Sequence, residues 1–112
     1  MHELSLCQSI GTIVRRHAED RRVTVVHLQV GQLRQVVPDT LVYCWGIVNE
    51  GTTCEGSVLD VDHVPAAIEC RDCGATTLLE EMRMMCGSCG STAVAVTAGE
   101  ELLVTSIELQ EA

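Results

Sequence analysis

Two runs of this chain have residue types and spacing that do chemistry without help from anything else: Cys70-Arg71-Asp72-Cys73-Gly74 and Cys86-Gly87-Ser88-Cys89-Gly90. Two residues between cysteines let one tight turn aim both sulfurs at a single ion. A glycine after each pair takes backbone angles closed to other residues and lets nearby amides face the sulfurs. Four thiolates with no spare ligand position describe a closed, structural zinc site built from Cys70, Cys73, Cys86 and Cys89. Two unrelated redox pairs are the competing reading, and the duplication of the whole motif argues against it. A rubredoxin-like iron site stays open, although no aromatic residue lies nearby in sequence to wall off an iron.

The second chemically informative place is the opening tripeptide, Met1-His2-Glu3. A residue as large as His2 generally blocks removal of Met1, which leaves a free amine at the end of the chain. That amine, the amides of His2 and Glu3, and the His2 imidazole fall within one short stretch. Nickel(II) and copper(II) favour such square-planar nitrogen sites. The Glu3 carboxylate is placed to act as an oxygen ligand or to fix the imidazole by a hydrogen bond. The amine, the carboxylate and a water all remain open for the last position. The first amides of a helix lack intrahelical partners, so recruiting one breaks no hydrogen bond. The plainer reading of a histidine at position two is a solvated chain end. His17 and His27 read as packed or helix-end residues. His63 lies on a strand whose alternation turns it away from Asp60 and Asp62.

The elements that must position these groups follow from periodicity. Residues from about Glu3 to Ala18 read as an amphipathic helix with Leu6, Ile10, Ile13 and His17 on its buried stripe. Gly11 within it suggests close packing against a strand. Val23 to Val30 reads as a strand in which Val26, Leu28 and Val30 alternate with Val25, His27 and Gln29. Pro38 opens a second helix, with Leu41, Cys44 or Trp45, and Val48 facing inward. Ser57 to Val64 reads as a further strand, and Glu101 to Leu109 as the last, with Leu103, Ile107 and Leu109 toward the core. Strands 57–64 and 101–109 are expected to pair antiparallel, and Thr97-Ala98-Gly99-Glu100 to form a hinge-like linker. The fold class is therefore α+β: a three-stranded sheet covered by two helices, with an inserted zinc-ribbon module. Residues 1–65 and 98–112 would form a discontinuous domain around a zinc-binding module at 66–97, which needs the metal's folding energy.

Composition narrows the function. The 112 residues carry seven Lys and Arg against sixteen Asp and Glu, a formal charge of −9. Gripping nucleic acid requires clustered cations, so a nucleic-acid role is disfavoured and protein partners or metal cations are favoured. No apolar run approaches the ~20 residues of a membrane span, and no signal peptide is visible at the start. Seven cysteines in such a chain point to reduced thiols and a cytoplasmic setting. Cys7, Cys44 and Cys54 read as ordinary packed or semi-exposed thiols, with Cys54→Ser expected to be nearly silent.

The start Met1-His2-Glu3-Leu4-Ser5, the doubled Cys-x-x-Cys-Gly and the closing Gly99-Glu100-Glu101-Leu102 resemble the HypA/HybF family of hydrogenase nickel-incorporation proteins, in order and spacing and across essentially the whole chain. The resemblance implies a nickel metallochaperone, not an enzyme. It implies nickel at His2, with Glu3 and neighbouring backbone nitrogens involved, and structural zinc at the four cysteines. It implies action with a HypB-type GTPase, delivery to the [NiFe]-hydrogenase large-subunit precursor and, for some members, a role with urease maturation proteins. Asp39 matches only loosely an acidic position near the family's nickel. The sequence leaves monomer and homodimer open.

Two other classes compete. A zinc-ribbon adaptor would use the cysteine module for protein contacts without nickel delivery. An enzyme would need an open zinc position or a catalytic constellation, and the sequence offers neither.

Overall fold

The computed structural model describes residues 3–80 and 83–111. His2, the main nickel-ligand expectation, lies outside the described residues. Its partner Glu3 opens helix α1 (Glu3–Ala18), which is followed by strand β1 (Val23–Gly31), a single 3-10 turn (Gln32–Arg34), helix α2 (Pro38–Val48) and strand β2 (Val58–Val64). Strands β3 (Ala67–Cys70), β4 (Thr76–Leu78) and β5 (Val94–Ala98) come next, and β6 (Leu102–Leu109) closes the chain. The strands form two three-stranded sheets, ordered β2-β1-β6 and β4-β3-β5.

The chain divides into two compact units. The first comprises Met1–Gln29, Val36–Asp62 and Leu103–Ala112. In it α1 and α2 pack on one another, and the core is built from Leu6, Ile10, Val14, Val26, Leu28, Leu41 and Trp45. The buried stripe of α1 is Leu6, Cys7, Ile10, Gly11, Val14 and Ala18. It is rotated from the expected one: Ile13 is half exposed and His17 is exposed. Gly11 explains the rotation. A Cβ there would lie 3.3 Å from Asn49 Oδ1 and 2.9 Å from Arg15 Nη1, so its close neighbour is the C-terminal cap residue of α2 and not a strand. Asn49 is buried, and its side-chain amide donates to the Trp45 carbonyl at 2.9 Å. Between the two candidates on α2, burial selects Trp45, whose indole N–H donates to Ser57 Oγ at 2.8 Å. Cys44 is half-buried.

The expected pairing of β2 with β6 is not formed: β1 lies between them. The physical reason is β1's composition. Val23, Val26, Leu28 and Val30 are all buried, and Val25, His27 and Gln29 are half-buried, which suits a central strand. The acid-bearing strands, with Asp60 and Asp62 on β2 and Glu108 on β6, take the edges. The bonds Gln110 N–H to Arg22 O (2.8 Å) and Gly31 N–H to Glu101 O (2.7 Å) set β6 antiparallel to β1. Leu103 is exposed, while Ile107 and Leu109 are half-buried.

The second unit comprises Val30–Gln35 and His63–Leu102. Its central strand, β3, pairs antiparallel with β4 and with β5, the latter through a bulge at Ala67/Ile68. A small hydrophobic cluster of Ala66, Ile68 and Leu79 lies in it, with Leu33, Val94 and Val96 packed against it. The 3-10 turn contributes an anchor. Gln32 donates through Nε2 to the Leu79 carbonyl at 3.1 Å and accepts the Ala66 amide at Oε1 at 2.8 Å. Residues 97–100 are not a loose linker, because Thr97 and Ala98 complete β5 and Gly99 is buried.

Candidate metal centre

The two cysteine runs fold as near copies of one turn. Gly74 N–H donates to Cys70 O at 2.9 Å, and Gly90 N–H to Cys86 O at 3.0 Å. Cys70 N–H returns to Ala75 O at 2.9 Å, and Cys86 N–H to Ser91 O at 2.8 Å. Each turn closes on a glycine in the left-handed region, Gly74 at φ 77° and Gly90 at φ 76°. That conformation disfavours any side chain, which is why the glycine follows each pair. The turns sit where strands hold them: β3 ends at Cys70, and Gly87 N–H donates at 3.0 Å to Thr77 Oγ1 on β4. Asp72 of one turn accepts a hydrogen bond from Ser91 Oγ beyond the other.

All four sulfurs lie within 4.8 Å of one another. Cys70 Sγ is 3.6 Å from Cys89 Sγ, and Cys73 Sγ is 3.6 Å from Cys86 Sγ. A tetrahedral ion with bonds of about 2.3 Å to sulfur separates its ligands by about 3.8 Å. The four residues therefore fit a zinc-sized ion with no rearrangement of the turns.

The surrounding dipoles favour thiolate at one cysteine of each pair. Cys86 is drawn down to about 6, chiefly by the Cys89 backbone N–H and then by that of Ser88. Cys70 is lowered chiefly by the Cys73 amide. At Cys89 the Ser91 amide lowers the value, but Cys70, loss of water and the remaining cage cysteines outweigh it and push the thiol up to about 12. Cys73 is raised too: the Ala75 amide pulls down and is overcome by Cys86, burial and Cys70. Sulfurs this close cannot all ionise without a cation between them, and a divalent ion supplies that charge.

Of the opening tripeptide, Glu3 alone is described. It sits in the first turn of α1, half-buried, and its Oε2 accepts the Val37 amide at 3.4 Å. A carboxylate is favourable at that end of a helix, and the hydrogen bond holds it beside the chain entering α2. Asp39 lies in the first turn of α2 and is exposed. Cys7, one turn along α1, is fully buried and donates to the Leu41 carbonyl at 3.3 Å. Burial, then Cys44 and Glu3, push its thiol up to about 12. Cys54 is also fully buried and raised, chiefly by burial. Neither is the semi-exposed thiol that composition allowed.

One charged cluster escaped the sequence reading. His27 Nδ1 lies 2.8 Å from Asp60 Oδ2, and Nε2 lies 2.7 Å from Glu108 Oε2. The partners are 33 and 81 residues away in sequence. Alternation placed His27 and Asp60 on particular faces of their strands, but only the strand order brings them together.

An α+β body joined to a two-turn, four-cysteine unit defines the class: a protein whose smaller unit carries four sulfurs clustered as a tetrahedral metal ion needs them. Residues 1–109 match the family described as "Hydrogenase/urease nickel incorporation, metallochaperone, hypA". A hydrogenase maturation factor HypA from Nostoc sp. is 40% identical over 111 residues, covering 99% of this chain and 97% of that one. One from Geobacter sulfurreducens is 37% identical over 110 residues, covering 98% and 100%. The solution structure of the nickel metallochaperone HypA from Helicobacter pylori shares the fold, with a TM-score of 0.67 at 24% identity over 97% of each chain. This chain belongs to the HypA family, whose members are metallochaperones of hydrogenase maturation and not enzymes.

Proposed function

We propose that this chain carries Ni(II) at its N-terminus, through the His2 imidazole, the neighbouring backbone nitrogens and the Glu3 side, and hands it on for insertion into a [NiFe]-hydrogenase large-subunit precursor. The first unit carries the exchangeable nickel end, and the second carries zinc on Cys70, Cys73, Cys86 and Cys89 as a structural ion. A HypB-type GTPase is the partner that this reading requires, and the setting is the cytoplasm. No helix among the described residues is long and apolar enough to cross a membrane. Urease maturation is the second client class compatible with the family.

The observation that carries the reading is the position of Glu3. Its carboxylate is tethered to the Val37 amide at the end of α1 where helix amides have no intrahelical partners. A divalent ion there finds an oxygen ligand already oriented and amides free to be recruited. A site at the end of a chain also exchanges ligands readily, which a carrier needs and a storage site does not. The acidic surface, with its formal charge of −9, attracts cations and repels nucleic acid.

The test is a nickel titration of the zinc-loaded protein, of its His2→Ala variant, and of a version with one residue added before Met1. The expected result is stoichiometric binding in the native chain and a loss of at least about tenfold in affinity in both altered chains. Unchanged binding in both would place the nickel elsewhere.

A further inference from the structure

The outward face of the β2-β1-β6 sheet carries an arrangement unrelated to either metal site. His27, at the middle of the central strand, meets Asp60 on one edge strand and Glu108 on the other, one carboxylate at each ring nitrogen. The backbone is registered around it: Thr105 Oγ1 donates to the His27 carbonyl at 3.2 Å, and Thr24 Oγ1 to the Glu108 carbonyl at 3.1 Å. The shallow depression in front of the ring is lined by His27, Gln29, Asp60, Asp62, Thr105 and Ser106. The charged groups facing His27 are thus Asp60 and Asp62 from β2 and Glu108 from β6, all acidic. The arrangement is not a metal site, because the carboxylates sit on opposite ring nitrogens and cannot meet one ion together with the ring.

Both neighbours are acceptors when ionised, and a neutral imidazole has one N–H. Only the imidazolium, with two, satisfies both. We propose that His27 is a proton-operated clamp: protonated, it fastens both edge strands to β1, and deprotonated, it turns a lone pair toward one carboxylate and frees that edge.

The electrostatics run the same way. The His27 pKa is raised by the hydrogen bond to Glu108, then by that to Asp60, against a smaller effect of lost water. A folded-state value above the unfolded one means stabilisation that is complete below ~6.5 and lost as pH rises through the folded value. The clamp therefore tightens in acid. Chain connectivity gives this a consequence. The edge strands it joins are the ones through which the chain enters and leaves residues 65–101. In acid, where protonation of His2 would loosen nickel, the sheet would hold more firmly. That single consequence rests on the nickel-carrier reading; the clamp itself does not.

The test needs no nickel. The His27 ring signals of the full zinc-loaded chain are followed by NMR from about pH 5 to about pH 9, with amide exchange protection of β2 and β6 measured across the same range. The expected result is a midpoint above ~6.5, with both ring nitrogens protonated on its acid side. Asp60→Asn and Glu108→Gln should each lower the midpoint, and the double variant should return it toward ~6.5. Both side chains are more than half exposed, so these variants keep the fold. Protection of β2 or β6 should fall on the alkaline side in the native chain and stay flat in His27→Gln. A native midpoint at or below ~6.5, or one that neither variant moves, overturns the clamp whatever the nickel titration shows.

Discussion

Gly31 and Gly99 touch backbone to backbone: a Cβ built on Gly31 would fall 2.0 Å from the Gly99 carbonyl oxygen. Three hydrogen bonds surround the contact, from Gly31 N–H to Glu101 O (2.7 Å), from Leu33 N–H to Gly99 O (2.8 Å), and from Arg34 Nε to Glu100 O (2.8 Å). Gly99 itself holds φ at 109°, and its own Cβ would meet Ala66 Cα at 2.6 Å. Gly99→Ala thus combines a disfavoured backbone conformation with a clash against backbone atoms that cannot move aside. We expect it to cost about 2 kcal/mol or more, read as a lower denaturation midpoint of the zinc-loaded protein. Gly46→Ala is the control, since a Cβ there has nothing within 4 Å.

The second unit is expected to depend on an ion held by its four cysteines. The hydrophobic cluster of Ala66, Ile68 and Leu79, with Leu33, Val94 and Val96 packed against it, is a small core for a unit made of Val30–Gln35 and His63–Leu102. Chelation of the metal, or Cys70→Ser, should remove amide protection throughout β3, β4 and β5. Hydrogen exchange with and without chelator checks this. A Cys70→Ser chain that keeps those strands protected without metal would contradict the structural role.

The three cysteines outside the cage differ in accessibility. A thiol-labelling reagent applied to the folded, zinc-loaded protein should modify half-buried Cys44 and spare Cys7 and Cys54, which are fully buried. Mass spectrometry of the labelled peptides gives the answer. Cys54→Ser puts a hydroxyl into a fully buried position. The silence expected from sequence therefore becomes a destabilisation of about 1–2 kcal/mol, measurable by thermal melting.

Asn49 is the one buried polar side chain among the described residues. Its amide bonds the Trp45 carbonyl, and its oxygen accepts Arg15 Nη1 at 3.4 Å. Asn49→Ala removes the polar link between the C-terminal end of α2 and α1, and leaves Gly11 facing a void. A loss of about 2 kcal/mol is expected, with Arg15→Met much milder because Asn49 keeps its other partners.

Nickel affinity should fall as pH drops through ~6.5, where a free imidazole takes up a proton and ceases to be a ligand. The sign is opposite to that of the His27 clamp. Parallel titrations of nickel affinity and of sheet protection should therefore cross, and equal nickel affinity on the two sides of that pH would remove His2 from the ligand set.

Much of this protein is legible residue by residue. A Cys-x-x-Cys-Gly turn is a local object: six consecutive residues close its hydrogen bonds and fix its glycine's backbone sign, so the four clustered cysteines can be read without a fold. The helices and strands were readable for the same reason, because periodicity is a property of neighbours. The nickel end proposed for the opening tripeptide is likewise a local reading, since its nitrogens would be neighbours in adjacent chelate rings. What neighbours do not encode is which strand lies beside which. Strand order put β1 between two acid-bearing edges and so brought His27 against Asp60 and Glu108. The helix stripe turned toward Val14 because Gly11 admits Asn49, 38 residues on in the chain. Residues 97–100 became part of a packed strand end because Gly99 meets Gly31, a contact across 68 positions. Each of these is a decision of long-range packing, where backbone space and buried hydrogen bonds outweigh any preference the single residue carries.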